Sequence, residues 1–234
     1  MKKMLALLLA VLMVLSLAAC GDSAPAASTA TAAPTATEAP AAEATAEPEA
    51  APAAEASGSY CSDAEPVVNL YGEFTADSVQ DGILVTNIGQ SADTATLASL
   101  LKRGNVAYEE NDTAAEGDLA GFGTLIVVAG ASTKGLGSAG ISQEDEMARA
   151  ESLLSAAKEA GMTIVLAHLG GSGRRGNTSD LFIDIVREYA DYMLVVEDGN
   201  MDGYFTSFCE ANNIPLTLVK SAKNASDTVA ALFG

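Results

Sequence analysis

The chain's single histidine, His168, opens the stretch HLGGSGRRGNTSD at residues 168–180. A histidine at the carboxyl end of a strand is placed for acid–base work, or to hold a ligand by a ring nitrogen. It is equally placed to support its own loop through hydrogen bonds. Arg174 and Arg175 follow, and either guanidinium could take a carboxylate or phosphate by two parallel hydrogen bonds. The other reading makes both arginines counter-charges on an acidic surface. Gly171, Gly173 and Gly176 keep the G-x-G-x-x-G spacing of a dinucleotide loop, with Glu197 about twenty residues on. The helix caps argue against that chemistry. In a dinucleotide loop the third glycine lies inside the helix, whereas Asn177, Thr178 and Ser179 offer caps only after Gly176. No cofactor is expected.

Three other segments carry similar residue types. Asn87–Asp93 holds Gln90 and Ser91; residues 130–140, GASTKGLGSAG, hold Ser132, Thr133, Lys134 and Gly135; residues 197–203, EDGNMDG, hold Asn200. Together with Gly170, Gly171 and the two arginines, these are the candidate ligand contacts. Such residues place backbone N–H groups and hydroxyls at helix starts, where anions are favoured. No P-loop and no G-x-S-x-G elbow occurs, so a lone histidine is left without a nucleophile partner, and no catalytic residue is assigned. Asp198, Asn200 and Asp202 match the first half of a calcium loop. The twelfth position is Cys209 and a strand precedes, so a turn is the better reading. One histidine and two distant cysteines do not make a zinc site, and no metal is expected.

Alternating elements must position these loops. Ile83–Asn87 reads as a short strand, then a helix with Leu97, Leu100 and Leu101 in phase and Ser91 as its cap. Val106–Tyr108 begins a second strand, and Thr124–Val128 is a third, buried on both faces. Ser142 and Asp145 cap a long helix that Gly161 ends. Strands over Met162–Leu169, Tyr192–Val196 and Leu216–Val219 alternate with helices over Asp180–Ala190, Tyr204–Ala211 and Ala225–Phe233. This is an α/β fold, a three-layer, doubly wound, mostly parallel sheet of Rossmann-like or flavodoxin-like type. Its ligands bind outside the carboxyl ends of the strands, where all four loops fall. The strand order is not legible.

Lys2 and Lys3 precede an apolar run, Met4–Leu17, too short to span a bilayer, which ends in Leu17-Ala-Ala-Cys20-Gly21. That ending resembles the lipobox of bacterial lipoproteins. The resemblance implies cleavage before Cys20, lipid on its sulfur, and anchorage on the outer face of the cytoplasmic membrane. Residues 1–19 are then the lipoprotein signal peptide. Residues 20–59, almost wholly Ala, Pro, Thr, Ser and Glu, lack the apolar surface to fold and read as a disordered linker. Residues 60–82 would supply an edge strand or packed arm, and 83–234 the α/β domain.

The chain carries a net charge of −19, and from residue 60 onward 25 acidic side chains face 10 basic ones. Nucleic acid is excluded as a bulk-charge partner. With Cys20 committed to lipid, Cys61 and Cys209 either pair as a disulfide outside the cell or stay independent.

The combination of GQSAD, STKGLGSAG, HLGGSGRRG and GNMDG resembles an uncharacterised bacterial family of exported α/β domains, over roughly residues 82–234. That resemblance implies a domain boundary and no activity. The expected function is a membrane-anchored, non-catalytic domain that binds a small anionic or polar ligand, serving a transporter or sensor. The alternatives are a cell-surface enzyme using His168 in the same crevice, and a structural or interaction module.

Overall fold

The structure is a computed structural model that describes residues 58–234. The expected signal peptide, Cys20 and the expected linker up to residue 57 lie outside the described residues. The described residues fall in one compact unit that contains every strand, helix and core residue described below.

Seven strands make one sheet: β1 (Val67–Leu70), β2 (Ile83–Ile88), β3 (Glu109–Glu110), β4 (Thr124–Ala129), β5 (Thr163–His168), β6 (Tyr192–Val196) and β7 (Leu216–Val219). Their order across the sheet is β1-β7-β6-β5-β4-β2-β3. From β2 to β7 every neighbour is parallel, while β1 runs antiparallel to β7 with Val67 opposite Val219. Every residue of β2, β4 and β5 is buried, which is why each contains a continuous apolar run (Ile83–Val85, Leu125–Ala129, Ile164–Ala167) rather than an alternating pattern.

Six helices cover both faces: α1 (Thr94–Arg103), α2 (Thr133–Ala139), α3 (Gln143–Glu159), α4 (Asn177–Arg187), α5 (Tyr204–Asn212) and α6 (Ser226–Phe233). On one face Leu153, Leu154, Phe182, Ile183 and Phe205 of α3, α4 and α5 pack on Leu125, Val127, Ile164 and Leu166. On the other, Leu97 and Leu101 of α1 and Val229 of α6 pack on Val85, Ile126, Val165 and Leu194. The result is the expected three-layer α/β sandwich.

Several elements begin where local chemistry, rather than periodicity, puts them. Ser142 caps α3 as read, accepting the Asp145 amide at 3.0 Å. The cap position of α1 is Asp93 rather than Ser91, and Ser91 instead accepts the Asp93 amide at 3.3 Å. The second strand is two residues long and later than Val106–Tyr108, because it pairs with β2 only through Glu109 and Glu110. Helix α4 starts at Asn177, three residues before Asp180, since Gly176 takes a φ of 107° and the Asp180 carboxylate accepts its amide at 3.0 Å. Ahead of β2, the 60–82 segment places β1 on the sheet edge and stacks Phe74 on Tyr192 at 4.3 Å between ring centroids.

Candidate functional site

From β2 the chain passes through α1 to β3 on one side, then crosses to β4 on the other. Among the parallel strands this is the flavodoxin-like order, and its switch point lies between the carboxyl ends of β2 and β4. The two loops that leave those ends are zipped together. The Gly130 amide donates to the Ile88 carbonyl at 3.0 Å, Ser132 to Gly89 at 2.8 Å, and Gln90 bridges Ala131. Glycine permits the approach. At Gly89, with φ of 95°, a Cβ would fall on the Gly130 carbonyl oxygen; at Gly135 it would fall on that of Gln90.

An ion pair on α3 supports the zipped loops. Glu146 is fully buried, and its carboxylate accepts the Gly89 amide at 2.9 Å and the Gln90 side-chain amide at 3.0 Å. Arg149 donates to that carboxylate at 2.7 and 2.8 Å, to the Ala114 carbonyl at 2.7 Å, and to the Asn87 carbonyl at 2.5 Å. Asn87 adds a second brace, giving hydrogen bonds to the Ser91 carbonyl and the Thr94 hydroxyl, each at 2.5 Å.

Above this floor lies a cleft of about 580 Å³ whose polar wall includes Gln90, Ser91, Thr113, Ser132, Lys134 and Ser138. Gly135 and Asp112 also line it. Ser132 caps α2, accepting the Gly135 amide at 3.0 Å. The Lys134 ammonium meets no carboxylate within 4 Å among the described residues. The cleft therefore combines hydroxyl and amide groups with one lysine and one carboxylate, Asp112, that form no direct ion pair with each other. Of the expected contacts, Gln90, Ser91, Ser132, Lys134 and Gly135 are brought together here. Thr133 is exposed on α2 and does not line the cleft.

The remaining expected contacts do other work. His168 is fully buried, with Nδ1 3.1 Å from the Ala129 carbonyl oxygen and Nε2 3.1 Å from that of Gly171. It braces its loop against β4 and cannot act as an acid, base or ligand contact in the crevice. Burial lowers its pKa, against the opposing effect of the two carbonyls. Asn200 is also buried, and its side-chain oxygen accepts the Phe205 and Thr206 amides at 2.9 and 3.0 Å, so it caps α5.

Arg175 is held by Asp180 and Asp202 at 2.8 and 2.9 Å and by the Gly199 carbonyl, and lies 3.9 Å above the Tyr204 ring. None of its donors is left for a ligand in the crevice. Arg174 pairs with Asp93 at 3.2 Å beside Gly130, on the rim of the switch point. Gly170 lies under that pair, where a Cβ would strike the Arg174 side chain, and Gly171, at φ of 58°, packs against Asp198. The calcium half-motif dissolves for the same reason: Asp198 binds Ser172, Asp202 binds Arg175, and Asn200 faces inward.

Cys61 and Cys209 are free, and both are buried. Cys61 packs at the Leu218 carbonyl of β7, 3.5 Å away, and Cys209 on α5 meets the Met193 sulfur of β6 at 3.5 Å, so they are not a disulfide. Burial pushes their thiols up to about 11 and about 12. Glu197, at the end of β6, accepts the Tyr60 and Cys61 amides and the Ser59 hydroxyl, fixing the start of the described chain to the carboxyl edge of the sheet.

Residues 80–233 match the family model described as a domain of unknown function, DUF6305. No curated protein matches the chain. Among solved structures, the psychrotrophic esterase EstA from Pseudoalteromonas sp., inhibited by monoethylphosphonate, is similar at 10% identity and a TM-score of 0.29, over 64% of this chain and 93% of that one. A likeness that loose carries no argument about chemistry.

Proposed function

This chain belongs to the DUF6305 family, a domain of unknown function, and on that premise we propose that it is a binding protein for a small anionic or polar ligand. The ligand sits in the switch-point cleft, with its negative or acceptor groups toward Lys134 and its hydroxyl-bonding groups toward Ser91, Ser132 and Ser138. One observation carries this reading. Among the described residues Lys134 is the one basic side chain lining this 580 Å³ cleft, at the crevice where open α/β sheets bind ligands, and it forms no ion pair within 4 Å although Asp112 lines the same cleft.

The lipobox-like ending at Cys20 supports anchorage by lipid on the outer face of the cytoplasmic membrane, with the Ala- and Pro-rich segment as spacer. A transporter or sensor in the same membrane is its natural client. A single lobe cannot close on a ligand as two-lobed solute receptors do, so the affinity rests on the preformed cleft. Binding is the favoured activity because His168, on which a catalytic reading depended, lies buried between two carbonyls.

Thermal-shift screening of residues 50–234 against inorganic anions, organic acids, amino acids and sugars tests the binding reading. A hit that stabilises the wild type and fails to stabilise Lys134→Gln supports it; no hit in any class refutes it. Incorporation of labelled lipid into the wild type and not into Cys20→Ser tests the anchor.

A further inference from the structure

The described residues hold ten lysines and arginines. Six of them, Arg149, Lys158, Arg174, Arg175, Arg187 and Lys220, meet a carboxylate within 4 Å. Such pairing is expected where acidic groups are in large excess. Lys102, Arg103, Lys134 and Lys223 meet none among the described residues. Lys134 lines the switch-point cleft. Arg103 and Lys223 line a different groove, formed between α1 and the turn that follows β7, with an open volume of about 540 Å³.

That groove has a chemistry of its own. Its floor is apolar, made by Leu100, which is 3% exposed, with Ala95 and Ala222. Thr96 and Ser99 add hydroxyls, and Arg103 and Lys223 add two positive charges. Both charges line one groove whose lining holds no carboxylate, and neither forms an ion pair within 4 Å among the described residues. An anion in the groove would meet both charges, and the apolar residues beside them would take its aliphatic part. Arg103 can hold a carboxylate or phosphate by two hydrogen bonds, with Lys223 as a point charge beside it.

We propose that the groove between α1 and the turn after β7 is a second binding site, for a small amphiphilic anion. The acidic head of the ligand meets Arg103 and Lys223, and its short aliphatic part covers Ala95, Leu100 and Ala222. The site is separate from the switch-point cleft and does not depend on the reading of that cleft.

Isothermal titration of residues 50–234 with octanoate, inorganic phosphate and octylamine tests it. Octanoate binds saturably, and the double variant Arg103→Gln, Lys223→Gln weakens it by about tenfold or more, as loss of charge-assisted contacts should. Both substituted side chains are exposed, so the variant's melting temperature should match the wild type and exclude a folding defect. Absent or non-saturable octanoate binding, or binding indifferent to the double variant, overturns the site. Phosphate binding as tightly as octanoate overturns the amphiphilic assignment, and octylamine binding as tightly overturns the role of charge.

Discussion

The Glu146 carboxylate accepts the backbone amide of Gly89 at 2.9 Å, joining helix α3 to a loop 57 residues earlier in the chain. Gly89 is the first residue after β2, so this one bond fixes where the switch-point loop leaves the sheet. Because Arg149 neutralises Glu146 and reaches the Asn87 and Ala114 carbonyls, the buried charge is both paired and hydrogen-bonded. The cleft's shape is thus set from within the protein.

Glu146→Ala should therefore destabilise the domain by about 3–5 kcal/mol, the usual cost of stranding one partner of a buried pair. Glu146→Gln, which keeps an acceptor for Gly89, should cost less. Urea unfolding of both variants measures the difference. A loss below about 1 kcal/mol for the alanine variant would show that the pair does not clamp the loop.

Two glycines on the same short helix should respond in opposite directions. At Gly135 a new Cβ would strike the Gln90 carbonyl oxygen, so Gly135→Ala should cost about 1–3 kcal/mol and open the cleft. At Gly137 a Cβ meets nothing within 4 Å, so Gly137→Ala should gain about 0.5–1 kcal/mol from helix propensity alone. Melting curves of the pair report the sign, and equal signs would contradict the packing of α2 on the β2 loop.

His168 gives a pH signature. Burial lowers its pKa from 6.5, so below that value the unfolded chain binds a proton that the native state resists. Stability should accordingly fall as pH drops below about 6.5, with a slope of at most about 1.4 kcal/mol per pH unit from this group. His168→Gln should be less stable at neutral pH, through lost contacts, and lose that slope. Denaturant unfolding between about pH 7.5 and about pH 5.5 separates the two effects. An unchanged slope in the variant would contradict a protonation-resistant ring.

The cysteines predict a labelling pattern. With thiols pushed up to about 11 and about 12 and both side chains buried, native residues 50–234 should take no iodoacetamide at neutral pH. Unfolding without reductant should expose two reactive thiols. Mass spectrometry that finds none after unfolding would indicate a Cys61–Cys209 disulfide.

Much of the sheet was legible because β2, β4 and β5 are buried on both faces and so carry runs of three or more apolar residues. The switch point was not. Strand order depends on crossovers that leave no mark in a local window, and β3 pairs through only Glu109 and Glu110. The loops were found by their Gly, Ser and Thr content, which marks close backbone approach as well as it marks a ligand site. Gln90, Ser132 and Lys134 reach the cleft, while His168 and Asn200 spend their polar atoms on neighbouring backbone. Side-chain direction at a loop is a tertiary property, and residue type does not carry it. Glu146 had one visible signal, a carboxylate on the same helical row as Ala150, Leu153 and Ala157. A charge on a buried row implies a buried partner.

The switch-point cleft is proposed to hold a small anionic or polar ligand through Lys134. The most direct test is an amide NMR titration of residues 50–234 with phosphate, acetate and free amino acids. Saturable shifts confined to the Gln90–Ser91 and Ser132–Ser138 segments are expected for at least one of these ligands, abolished in Lys134→Gln. Titrations that leave both segments unmoved, or that move them equally in the variant, would contradict it.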